Sequence, residues 1–299
     1  LLAIKDANSN KDLVGDTLTT YLVDYRGYGY IGINANLVNV GGDPASEASK
    51  NLRKGIMTVL SVYRETVINS YYGDRASVIQ YPISNTSWAA PQPTDVGYQI
   101  AYSRDVNGNP IYDASMNDEQ KYEAALQAAV GFFQAAGYTW DGSKFTAAPE
   151  GAKMVYEFLV PGSGEQDHPA YGIAVGASEA LEKIGITLMV NDCTSTTWNN
   201  ALEANTAELW CAAWQSTVDP DMYQVYHSTN ADGKGTNSNH YQVKDADLDA
   251  LIIAGRGSSD TDFRKATYKK AMEIIMDWGV ELPTYQRKDC YVTSSKRID

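Results

Sequence analysis

The sequence predicts an α/β fold, a mainly parallel central sheet flanked by helices. Three observations carry this. Between residues 153 and 214, strand-like and helix-like segments alternate with short links: 153-KMVYEFLV, 167-DHPAYGIAVGASEALEKIG, 186-ITLMVND, 197-TWNNALEAN and 208-ELWCAAW. That alternation is the pattern of parallel strands joined by right-handed crossovers. Amphipathic helical segments recur on either side, with polar caps at their starts and glycines at their ends. No segment approaches the roughly 18 consecutive apolar residues that a membrane span needs.

The elements follow in order. Residues 1–27 are polar, mixed and weakly periodic. The run 28-YGYIGINANL reads as a strand, with aromatic and β-branched residues alternating with small ones. A helix is expected over 43–73, starting at Asp43-Pro44 and stopping at Gly73, with Leu52, Ile56, Val59 and Leu60 on one face. Residues 74–117 carry Pro82, Pro91, Pro93 and Pro110 and read as loop. Within them, 85-NTSWAAPQPTDVGY is a connection long enough to be functional or a compact cover. Asn117 can cap a helix over 118–137 that ends at Gly137, and a glycine turn follows at 138-YTWDGSKF. Beyond the alternating region come a Gly- and Asn-rich loop, 229-TNADGKGTNSNHY, helices at 245–255 and 260–279, and a strand at 285–294.

Composition excludes some classes. The 299 residues suffice for one large domain or two ordinary ones. The net charge of −13 disfavours nucleic acid and anionic lipid, whose partners need clustered Lys and Arg. Tyrosines number 21 against 5 phenylalanines. Tyrosine joins apolar area to a polar tip, which suits wet binding crevices, although compositional bias gives the same ratio. Cys193, Cys211 and Cys290 form no CxxC and no short Cys–His spacing. Buried free thiols are expected, and a Cys193–Cys211 pair stays open. No basic region or cleavage pattern opens the chain, which fits a cytosolic protein or a piece of an exported one.

One stretch concentrates the candidate chemistry: 210-WCAAWQSTVDPDMYQVYHST-229. Asp219 and Asp221 flank a proline after a strand, a pattern that serves turns and caps more often than catalysis. His227 and His240 flank one loop near them, but no two ligands sit at helix spacing, so exposed loop histidines are expected rather than a metal site. No catalytic or metal residues and no cofactor are assigned. Ligands of open parallel sheets bind beyond the carboxyl ends of the strands, and Trp214 to Asp221 lie at such an end. An aromatic wall beside carboxylates suits an amine; equally, Trp214 can belong to the core and Asp219 can cap the next helix.

Four blocks, in order, resemble a known family. They are 30-YIGINANL with 47-EASKNLRKGIMTVLSVYRETVINSYYGDRA; 125-ALQAAVGFFQAAGY; 179-EALEKIGITLMV with 198-WNNAL and 208-ELWCAAWQSTVDPDMYQVYHS; and 239-NHYQVKDADLDALI with 264-RKATYKKAMEIIMDWGVELPTYQ. Together they are similar to the C-terminal lobe of the family-5 extracellular solute-binding proteins, the oligopeptide, dipeptide and nickel receptors of ABC importers. The resemblance implies a periplasmic-binding-protein-like lobe (type II, cluster C) over residues 28–299, with 1–27 leaving an N-terminal lobe that lies outside this chain. It implies no enzyme. It implies capture of a solute, most readily a peptide, between two lobes, and delivery to a membrane permease. A solute sensor, or a receptor for a nickel chelate or oligosaccharide, is the alternative. An extracellular or periplasmic place and a lipoprotein anchor would follow. Relatives place an amine-binding aspartate in W-x-x-D-Y-x-D-P; here 214-WQSTVDP is one residue short and Thr217 stands at that position. Trp214, Gln215, Thr217 and Asp219 are expected to line the cleft, with Asn239 and Tyr241 near it.

Overall fold

The computed structural model describes residues 1–297. A short helix α1 (Leu2–Ala7) leads into β1 (Leu18–Asp24), and after Tyr25 and Arg26 the chain runs on in the same direction as β2 (Gly27–Ile33). β2 is buried along its whole length. Its glycines admit close neighbours: a Cβ on Gly32 would fall 2.4 Å from the Trp210 ring, and one on Gly29 would fall 2.2 Å from the Tyr285 ring. The expected strand is cut short at Ile33, where Asn34 Oδ1 accepts from Asn36 N and turns the chain.

The expected helix over 43–73 is two helices, α2 (Glu47–Val62) and α3 (Arg64–Tyr72), meeting at Tyr63. Ser46 rather than Asp43 caps the first, accepting from Ser49 N. Leu52, Ile56, Val59 and Leu60 are buried as their spacing required. The short strand β3 (Ala76–Val78) and a long covering loop follow. Helix α4 (Asp118–Ala135) opens with a full capping box, Asn117 and Gln120 each bonding the other's backbone. Gly137 then takes a left-handed φ of 96° to end it. The glycine turn at Gly142 joins a two-stranded hairpin, β4 (Thr139–Trp140) and β5 (Phe145–Ala147).

The alternating region forms as expected: β6 (Val155–Val160), α5 (Tyr171–Lys183), β7 (Thr187–Asp192), α6 (Ser195–Glu203) and β8 (Leu209–Gln215). A short helix α7 (Tyr223–Tyr226), then α8 (Ala246–Gly257) and α9 (Thr261–Trp278), lead to the long strand β9 (Glu281–Ser294). Asp245 and Asp260 cap the last two helices through backbone N–H groups.

The sheet runs β1-β9-β2-β8-β6-β7, with β3 also on β9. The α/β class holds, but the sheet is mixed, not mainly parallel. Among the described residues only β6 pairs in parallel, with β7 on one side and β8 on the other. β2 runs antiparallel to β8 and β9, and β9 antiparallel to β1 and β3. The parallel part is the part whose strands are joined by local crossovers. The antiparallel part joins the two ends of the chain.

Helices cover both faces of the sheet. One core packs Leu52, Ile56, Phe133, Ile173 and Leu181 against Phe158. The other packs Trp210, Tyr241, Tyr268, Met272, Ile275 and Trp278. Two arginines are buried without a carboxylate partner. Arg53 donates to the carbonyls of Trp278, Val38 and Pro44 at 2.7, 3.0 and 2.8 Å. Arg64 donates to those of Ser61, Ile79 and Pro283.

A candidate solute-binding cavity at the end of β8

β8 carries Trp214 and Gln215 to the sheet's end, antiparallel to Tyr28 and Gly27. The Trp214 indole lies flat on Tyr30, centroids 5.5 Å apart and planes within 7°. Such a stack fixes the ring at the strand end. The chain then leaves the sheet through 216–222. Thr217 Oγ1 donates to the carbonyl of Asp219, closing that loop on itself.

Both acids of the Asp-Pro-Asp run are held by arginines of the last helices. Arg264 Nη2 lies 2.7 and 2.9 Å from the two oxygens of Asp219. Its guanidinium also sits 5.2 Å over the Trp88 ring. Arg256 Nε lies 3.1 Å from Asp221, whose other oxygen accepts from Tyr223 N at 3.0 Å and starts α7. Exposed pairs of this kind contribute about 0–1 kcal/mol. Their effect here is to fix the loop and neutralise two carboxylates.

The result is a cavity of about 520 Å³ between this loop and the covering loop at 82–88. Trp214, Gln215, Thr217 and Asp219 all line it. A second space of about 270 Å³ shares Tyr28, Trp214 and Gln215 with the first and opens toward Tyr285 and Arg287. Asn239 and Tyr241 do not line either space. Asn239 is fully buried and donates to the carbonyls of Tyr226 and Val243 at 3.1 and 2.9 Å. Tyr241 stacks beneath Tyr226, centroids 5.6 Å apart. Both support the wall from behind.

Pattern alone did not single out Tyr28, Trp88 and Tyr226, which also line the cavity. Trp88 had a signal, the long proline-rich connection that carries it. Tyr226 lay in the aromatic run after Asp221, and Tyr28 looked like an ordinary strand residue.

The histidines sit otherwise than expected. His227 is buried, its Nδ1 3.0 Å from Thr229 Oγ1. His240 is half-buried, edge-on to Trp210. Among the described residues, no cluster of three or more His, Cys, Asp or Glu could hold a metal. All three cysteines are free; Cys211 is buried, Cys193 half-buried and Cys290 exposed. Cys211 Sγ lies 3.6 Å from His168 Nδ1, but burial pushes its thiol pKa up, away from a reactive thiolate.

The fold is periplasmic-binding-protein-like, α/β with a mixed, helix-flanked sheet, similar to that of solved peptide-binding proteins. No family model matches the chain. A probable peptide-binding protein, YejA of Agrobacterium fabrum, is 22% identical over 186 residues, 62% of this chain and 29% of the relative. AppA of Bacillus subtilis, an oligopeptide-binding protein solved with a nonapeptide, superposes with a TM-score of 0.67 at 18% identity, over 95% of this chain and 49% of its own. NikZ of Campylobacter jejuni, solved with Ni(L-His), superposes at 0.66 and 16% identity, over 94% of this chain and 49% of its own. The chain thus spans about half of these solved proteins and under a third of the curated one. YejA and AppA are both described as peptide-binding proteins. Among the described residues no helix is long and apolar enough to cross a membrane.

Proposed function

We propose that the chain is the C-terminal lobe of a two-lobed substrate-binding protein of an ABC importer, and that it holds a peptide against Trp214. The observation that carries this is the aromatic cavity at the end of β8, lined by Trp214, Gln215, Thr217 and Asp219. Peptides combine apolar side chains with regularly spaced amides, and a concave wall of rings with a few polar groups suits them. The two-stranded ribbon of β1 and the end of β9 supports the two-lobed part. It leaves Tyr21, Val23, Tyr291 and Val292 exposed. Two strands alone are marginal in water, and a second lobe seated there would bury those side chains. In the whole protein the lobes would close on the solute and present it to a permease outside the cytoplasmic membrane, the protein itself held by a lipid anchor.

Titration calorimetry of the 299-residue chain with pooled short peptides tests this. Weak binding is expected, since half a cleft makes half the contacts. Trp214→Ala should weaken it by a further tenfold to hundredfold, roughly 1.4–2.8 kcal/mol, as for a buried aromatic anchor. If a nickel–histidine chelate binds and peptides do not, the solute class is wrong. If nothing binds the chain, the receptor reading fails.

A further inference from the structure

A buried carboxylate stands directly behind the cavity wall. Glu281, the first residue of β9, is fully buried. Its carboxylate accepts from Tyr226 Oη at 2.6 Å and from Tyr28 Oη at 3.2 Å. These two hydroxyls are themselves 3.4 Å apart. Tyr28 and Tyr226 both line the 520 Å³ cavity, so the carboxylate sits one side chain behind it.

The charge is uncompensated. No Lys, Arg or His among the described residues pairs with Glu281, and what surrounds it is tyrosine: Tyr28 and Tyr30 on β2, Tyr226 on α7, and Tyr241 before α8. Tyr102, from the covering loop, donates to its backbone carbonyl at 2.8 Å. Farther out, Arg53 of α2 and Arg64 of α3 are committed to backbone carbonyls, and Asp277 of α9 is held by Lys50 and Lys54. His227 faces Thr229 and Asp249 instead. An unpaired buried carboxylate costs several kcal/mol unless something offsets it. Asp219 and Asp221, the two carboxylates on the cavity's rim, are already neutralised by Arg264 and Arg256.

We infer that Glu281 makes this cavity selective for a ligand bearing a protonated amine, seated against the Tyr28–Tyr226 wall. Glu281 acts through the two tyrosines as a positioning residue. It draws both hydroxyl protons inward, and its field crosses a low-dielectric wall where it is little screened. The rings of Trp214, Tyr28 and Tyr226 add attraction for a cation. Arg26, exposed at the mouth, opposes any cation there and leaves the inner wall as the place for it.

Capture is then linked to a proton. Burial pushes the Glu281 carboxyl up to about 7. Below that value it is protonated and neutral, and above it carries the charge that an ammonium group favours. Binding of the amine therefore strengthens as pH rises through 7 and releases a proton.

The proposal rests on the cavity being a binding site but not on the solute being a peptide. Its test uses n-butylammonium, n-butanol and butyrate on the 299-residue chain, read from NMR shifts of the tryptophan indole N–H groups at pH 6 and pH 8. Expected is preference for n-butylammonium, about tenfold tighter at pH 8 than at pH 6, following the ionised fraction. Glu281→Gln keeps the size and one of the two acceptor oxygens, with the amide N–H donating to the other hydroxyl, and should erase both the preference and the pH profile. Tyr226→Phe removes one donor to the carboxylate, and should move the midpoint of the profile upward. Butyrate binding as well as n-butylammonium, no probe binding, or Glu281→Gln retaining the pH profile would each overturn the proposal. Peptides that bind without regard to a free amine would sink it and leave the receptor reading standing. Amine binding without peptide binding would leave the proposal standing and overturn the peptide as the solute.

Discussion

Arg53→Ala should destabilise the fold by roughly 3–5 kcal/mol, the largest loss expected of any single substitution here. Arg53 lies in α2 with no exposed surface. Its guanidinium ties the loop before α2, through the carbonyls of Val38 and Pro44, to the distant end of α9, through that of Trp278. It also lies 5.6 Å over the Trp278 ring. Removing it orphans two buried acceptors, each costing about 1–3 kcal/mol before relaxation, frees the half-buried carbonyl of Pro44, and opens a cavity. Arg53→Lys should recover less than half, because an ammonium cannot present the same planar fork to three separated carbonyls. Urea unfolding followed by circular dichroism measures both. A loss under about 1 kcal/mol for the alanine variant would mean that the carbonyls find other donors.

Glu281→Gln should change how stability depends on pH. The folded carboxyl stands at about 7 against an ordinary 4.5, with burial the first cause and the tyrosine hydroxyls opposing it. Between those values the folded state holds a proton that the unfolded state has lost. Stability therefore falls as pH rises through the window, by roughly 3 kcal/mol in all at about 1.4 kcal/mol per pH unit. Glutamine does not titrate. Relative to the parent, the variant should gain about that much between pH 4.5 and pH 8. Chemical unfolding at the two pH values decides it, and equal differences at both would contradict a buried, displaced carboxyl.

What could be read from the sequence was what local pattern determines. The run from β6 to β8 was legible because each strand is followed by the helix that covers it. The pairings of β1 and β9 were not. Leu18 meets Ser294 and Asp24 meets Lys288, and nothing near either segment specifies a partner so far away in the chain. The mixed character of the sheet follows from those distant pairings, so it too was hidden. Trp214 was legible as the residue at a strand's carboxyl end. Asn239 and Tyr241 were carried toward the cleft with the loop that bears them, but their side chains point into the second core. Glu281 gave no signal at all: a glutamate in GVELP reads as surface. Its burial arises only when β9 threads beside β2 and four tyrosines from three segments converge on it.

In the function proposed above, solute is held at the end of β8. Hydrogen–deuterium exchange of the chain, with and without saturating short peptides, tests it most directly. Slowed exchange is expected over 214–226 and in the covering loop at 82–88, with α4 and β7 unchanged. Peptide binding that leaves 214–226 unprotected would contradict it.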